Sequence, residues 1–295
     1  FMLSNTTPLK IPTKSTETNP QSITPLFNTS TKQYLIFDTS TKQYLKYLNA
    51  AAFAVHLIGF VGVLIWIKNW NIPIHEQHIK WYSNSSKVDD CTGGSECVIT
   101  TTLKRIGTWK LEVLACLPFA ISFVAHALYL IYFKSYIQRV ENRTMFFRWI
   151  EYAISASIMF ITFQLLSGLT EYRIIMSNFL LIALLQAIGA WTERAKDEGK
   201  SIYWLGIALG LVILSVTYAQ IFSSVTEALT WVKWLIGLNL ALWLTFCIPL
   251  ISGIWEDKAT YESTYVILSL VSKSLLGWWL VWGVQARSAN NVRYD

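Results

Sequence analysis

Charged residues are scarce in this sequence: Asp, Glu, Lys and Arg make up 14% of 295 residues, whereas 53% are hydrophobic and 15% aromatic. A soluble domain typically carries about 25% charge, so this composition excludes an ordinary water-soluble globule. Cysteine is rare too, with four copies, and so is histidine, also with four. His75 and His78 stand three apart with no further ligand set, so no metal site is expected. No phosphate-binding glycine loop and no catalytic triad is present, and no enzyme is expected. The net charge of +6 belongs to loops and tails and gives no reason to invoke nucleic acid.

Apolar stretches fill the space that charge leaves. Seven helices of membrane-spanning length read near Leu45 to Ile67, Leu111 to Phe133, Asn142 to Leu166, Ile174 to Trp191, Ile202 to Phe222, Leu229 to Ile251 and Tyr261 to Val284. The fold class is therefore an all-α membrane protein, a seven-helix domain over 45–284 set in the lipid bilayer. Pro118 and Pro249 fall inside the second and sixth helices and predict local kinks.

Residues 1–44 read as a flexible tail rich in Ser, Thr, Asn, Lys and Pro, without the apolar core of a cleavable signal peptide. TSTKQYL occurs in it twice, from Thr29 to Leu35 and from Thr39 to Leu45, a local duplication whose second copy leads into the first helix. Residues 285–295 form a short C-terminal tail. The long connection 68–110 contains Gly93-Gly94 and a threonine-rich run from Val98 to Leu103, which predict a short β-hairpin. Cys91 and Cys97 lie in this loop and form the candidate disulfide, on the oxidising side of the membrane.

Basic residues in short loops give the orientation. Lys134, Arg139, Arg143, Arg148, Arg194, Lys196 and Lys200 lie on one side, against Arg173 and Lys233 on the other. The N-terminus is thus expected in the cytoplasm and the C-terminus outside. The cysteine loop then faces outward, as a disulfide requires.

Lys273 is the one formal charge in the twenty residues from Tyr265 to Val284. A lysine at the centre of a membrane helix costs about 2.5–3.5 kcal/mol even on insertion scales, and this one is too far from either end to snorkel. Counting residues from the cytoplasmic side puts Lys273 about 18 Å deep, Glu151 about 14 Å, His56 about 16 Å, His126 about 11 Å and Ser269 about 12 Å. A cation, a carboxylate, a hydroxyl and two imidazoles thus share one layer. Glu151 also has Arg148, three residues earlier on its own helix, as an available partner. Either histidine could equally be a core residue with its hydrogen bonds satisfied, and Ser269 could bond back to its own helix.

The chemistry that suits this layer is a Schiff base. A lysine amine in an apolar pocket is a competent nucleophile toward an aldehyde, and the protonated imine needs a counterion within a few ångströms. Glu151 is the candidate counterion, Ser269 a hydrogen-bond partner, and His56 and His126 candidates for receiving a proton. Ser122, Ser155, Met159, Trp243 and Phe246 are candidate pocket residues, and Gly277, four residues beyond the lysine, leaves room for an extended polyene.

Two stretches are more particular. RWIEYAISASIM from Arg148 to Met159 and YVILSLVSKSLLGWW from Tyr265 to Trp279 resemble the heliorhodopsins, microbial rhodopsins with inverted membrane orientation. The resemblance implies all-trans retinal on Lys273, Glu151 as sole carboxylate counterion, Ser269 near the Schiff base, and His56 and His126 lining a polar cytoplasmic cavity. It also implies a homodimer, an outer loop with β-structure, and a light-driven cycle in which the Schiff base transiently loses its proton. The duplicated tail departs from the family pattern.

Transport needs polar stations on both sides of the Schiff base. Toward the outside the sequence offers only Gln164, Gln220 and Glu227. This asymmetry favours a photoreceptor, a sensor whose proton stays inside a closed cavity; a signalling partner for it is not identified by the sequence. Glu227 is the residue that keeps a light-gated proton conductance as the alternative.

Overall fold

A computed structural model describes residues 37–67, 70–83, 97–196, 200–252 and 256–289. Helix α1, Thr39–Trp66, begins six residues before the expected Leu45, so the second TSTKQYL copy is helical and does not belong to a flexible tail. Asp38 explains the start: its carboxylate accepts from the Thr41 amide at 2.9 Å, which satisfies one of the unpaired N–H groups of the first turn.

The chain then forms an antiparallel hairpin of β1, Asn71–Ser83, and β2, Cys97–Lys110, paired from Asn71↔Lys110 to Ser83↔Cys97. The hairpin is longer than expected, because the strand pattern begins at its base. Ile72 and Ile74 alternate inward into the core, while Asn71 and Pro73 face out. Backbone and side chain of His75 both bond Thr170 at 2.9 Å, and Arg173 pairs with Glu76 at 2.7 Å, so the hairpin base is tied to the turn after α4. Cys91 lies outside the described residues, as does the side chain of Cys97, and with them the expected disulfide.

Helix α2, Leu111–Ile131, ends two residues earlier than expected, at a break on Tyr132 (φ −100°, ψ 39°), and the short α3, Phe133–Glu141, follows. Arg143, at φ 54°, turns the chain into α4, Phe146–Leu166. Helices α5, Tyr172–Ala195, and α6, Lys200–Ser224, come next. The predicted sixth helix is divided into α7, Thr230–Thr245, and α8, Ile248–Ile251. Pro249 lacks the N–H that would bond the carbonyl of Thr245, so the helix cannot run through unbroken. Helix α9, Lys258–Ala289, runs past the expected start of the C-terminal tail.

Seven of these segments are long and apolar enough to cross a membrane, α7 and α8 counting as one. Their side chains meet in a core around Phe119, Met159, Phe160, Phe163, Leu235 and Leu276. Helix α9 packs against α1, α2 and α7, which brings its middle, and Lys273, into the interior of the bundle.

Candidate functional site

Lys273 is 3% exposed, and its Nζ donates to Glu151 Oε1 at 2.9 Å and to Ser269 Oγ at 2.5 Å. Ser269 precedes Lys273 by one helical turn, which is why the two side chains meet. Glu151 is held the same way. Ser155, one turn later on α4, donates to Oε1 at 3.0 Å, and Ser122 of α2 donates to the same oxygen at 2.6 Å. The Tyr152 ring lies 5.0 Å from the lysine nitrogen, and its hydroxyl donates to the Tyr265 carbonyl at 3.0 Å. A buried charge is tolerable when paired and hydrogen-bonded, and removing one partner of such a pair typically costs about 3–5 kcal/mol.

The local alternative for Glu151 does not occur. Arg148 is buried and turned to two other carboxylates: Nη2 meets Glu193 at 3.0 and 2.9 Å, and Nη1 bonds Glu262. Trp149 Nε1 also donates to Glu193, and the Tyr136 hydroxyl donates to Glu262 at 3.2 Å. The guanidinium stacks over Tyr265 at 4.4 Å. Glu193 and Glu262 were missed from the sequence, because both sit at helix ends where a solvated charge is the default. Counting depth for every charge, and not for the central layer alone, would have grouped them with Arg148.

His56 and His126 stack at 5.5 Å with planes 16° apart, on the side of the site formed by α1 and α2. His126 Nδ1 is 2.8 Å from Asn49 Oδ1, whereas neither ring nitrogen of the fully buried His56 has a hydrogen-bond partner among the described residues. Asn49 was not singled out in the sequence, although it lies seven residues before His56 on the same helix face.

On the other side of the site an apolar pocket, partly open and with about 840 Å³ of empty space, lies between α4, α5, α6, α7 and α9. Lys273, Ser269, Ser155, Met159, Trp243 and Phe246 all line it. Gly277 does not. A Cβ there would lie 2.3 Å from Phe119, so this glycine gives room to a ring of α2 and not to the cavity. Glu227 ends the 3₁₀ turn Val225–Glu227, and its side chain lies outside the described residues.

The half of the bundle beyond Met159 is more polar than the sequence indicated. Asn178 donates to Gln220 at 2.6 Å, and buried Gln164, Tyr218 and Asn239 keep polar atoms without a hydrogen-bond partner among the described residues.

The family model for heliorhodopsin matches residues 45–285. The chain belongs to the heliorhodopsin family. A comparison with curated proteins gives no match. As a heliorhodopsin it is a retinal-binding microbial rhodopsin of photoreceptor type, an integral membrane protein with several spans. The pocket fits such a pigment on its own terms: it is mostly apolar, walled by Trp243, Phe246 and Met159, and contains a lysine amine already paired with a carboxylate. In the heliorhodopsin bundle the polar groups thus stand at the lysine and along the helices beyond it, with apolar walls between.

Proposed function

We propose that this heliorhodopsin is a light sensor that carries all-trans retinal on Lys273 and uses Glu151 as its counterion. The observation that carries this reading is the 2.9 Å pair of Lys273 and Glu151 beside the cavity. Bound there, the pigment supplies absorption of visible light and isomerisation of its polyene. Ser122 and Ser155 hold Oε1 of Glu151 in place, and Ser269 orients the lysine nitrogen. His56, with neither ring nitrogen hydrogen-bonded among the described residues, offers the bare nitrogen of its neutral imidazole as the proton acceptor, and Asn49 fixes the His126 ring stacked against it. Trp243, Phe246 and Met159 keep water from the apolar end. The excess of basic residues on the α2–α4 and α5–α6 connections supports a cytoplasmic N-terminus and an outward C-terminus. A homodimer and a signalling partner complete the reading.

The test is an absorption spectrum. Full-length protein mixed with all-trans retinal should develop a visible band, and Lys273→Ala should remain colourless. A wild type without a band, or a variant that keeps it, overturns the reading.

A second reading, a light-gated proton conductance, draws support from the outer polar set of Gln164, Tyr218, Asn239 and the Asn178–Gln220 pair. Under voltage clamp a sensor gives no steady photocurrent. A conductance gives one that reverses with voltage and weakens on Glu227→Gln.

A further inference from the structure

A groove with about 1080 Å³ of empty space opens on the outside of the bundle between α2, α3 and α4. Two helix faces make its walls: Ile121, Val124, Ala125 and Leu128 of α2, and Phe147, Ile150, Glu151 and Ile154 of α4. Each set follows the i, i+3, i+4, i+7 spacing of one helical stripe. The wall is turned outward, with Val124 48%, Leu128 47% and Phe147 54% exposed. From Ile121 to Tyr129 the α2 wall is about 12 Å long at 1.5 Å per residue, enough for about half of an acyl chain.

The mouth has different chemistry. Arg139 of α3 lies there with Ser135 and the exposed Tyr132. Its guanidinium is 5.0 Å from the Phe147 ring centre and 3.5 Å from Ser135 Oγ, and it forms no ion pair among the described residues. The one carboxylate among the residues lining the slot, Glu151, is paired with Lys273. A cation with no carboxylate bonded to it among the described residues, beside two hydroxyls and above a mostly apolar slot, complements a molecule with an anionic head and an apolar tail. A basic residue at the membrane edge gains from anionic lipid in that way, and its planar fork suits phosphate.

We propose that this groove binds one anionic phospholipid, with an acyl chain between α2 and α4 and its phosphate on Arg139. Glu151 is one of the lining residues, so the bound chain also covers the lipid-facing side of the carboxylate that pairs with Lys273.

The test uses full-length, pigment-loaded protein equilibrated with vesicles of equal parts phosphatidylglycerol and phosphatidylcholine with identical acyl chains. Native mass spectrometry then counts the lipids that each chain retains. Wild type should retain phosphatidylglycerol in preference to phosphatidylcholine, and Arg139→Gln should lower that preference about fivefold. Ala125→Phe should reduce retention of both lipids by filling the slot. Equal retention by wild type, or an unchanged preference in Arg139→Gln, overturns the proposal. So does a dimer that carries no lipid and ignores Arg139→Gln, the outcome expected if a second copy fills the groove. The readout counts lipid and not colour, so it can fail while the pigment reading stands.

Discussion

Phe119 of α2 sits in a gap left by Gly277 of α9: a Cβ on the glycine would lie 2.3 Å from the ring. Gly59 of α1 faces the same ring, with its would-be Cβ 2.4 Å away. Three helices that meet at the lysine layer are thus keyed together by one aromatic ring. Gly277→Ala should therefore destabilise the bundle by about 1–3 kcal/mol, the usual cost of overpacking. The absorption maximum should stay nearly fixed, because the cavity is lined by other residues. Thermal melts with and without a compensating Phe119→Leu would check this. A large spectral shift with no loss of stability would put Gly277 back in the pocket.

Glu151→Gln should move the visible band to the red. Removing the negative charge 2.9 Å from the lysine nitrogen withdraws ground-state stabilisation from the cation at that end of the pigment. An unchanged maximum would remove Glu151 from the counterion role.

Arg148→Met should be among the most destabilising single changes. It leaves Glu193 and Glu262 buried without their shared cation, a loss on the order of 3–5 kcal/mol. Arg148→Met combined with Glu193→Gln and Glu262→Gln should recover much of the stability, measured as Tm in one lipid environment. If the single variant melts like wild type, the triad holds nothing together.

Two exposed caps give a pH dependence. Hydrogen bonds from Thr41 and then Ser40 bring the Asp38 carboxyl from its ordinary 3.8 down to about 2. A hydrogen bond from Thr260 lowers Asp257, ahead of α9, in the same direction. A depressed carboxyl stabilises above its unfolded pKa and loses that contribution as pH falls through the folded one. The Thr41 amide should thus exchange faster in Asp38→Ala than in wild type at neutral pH. That difference should shrink between pH 3.8 and about 2. A difference that persists through this range would rule out the carboxylate as the cap.

The sequence by itself determined the spans. In lipid a helix is selected by the length and apolarity of a local run, so the seven segments and the depth of Lys273, Glu151, His56 and His126 could be read by counting. It also placed Ser269 and Lys273 on one face, since they are one turn apart.

Partner choice was decided only by the tertiary structure. Spacing alone made Arg148 a fair partner for Glu151, yet Glu193 and Glu262, 45 and 114 positions away, take it, and Lys273, 122 positions away, takes Glu151. Likewise Gly277 could be read as space, but not as space for Phe119. How far each helix turns about its own axis depends on packing against several neighbours at once. That rotation determines which buried charges meet and which side of a glycine is filled, and no single segment contains it.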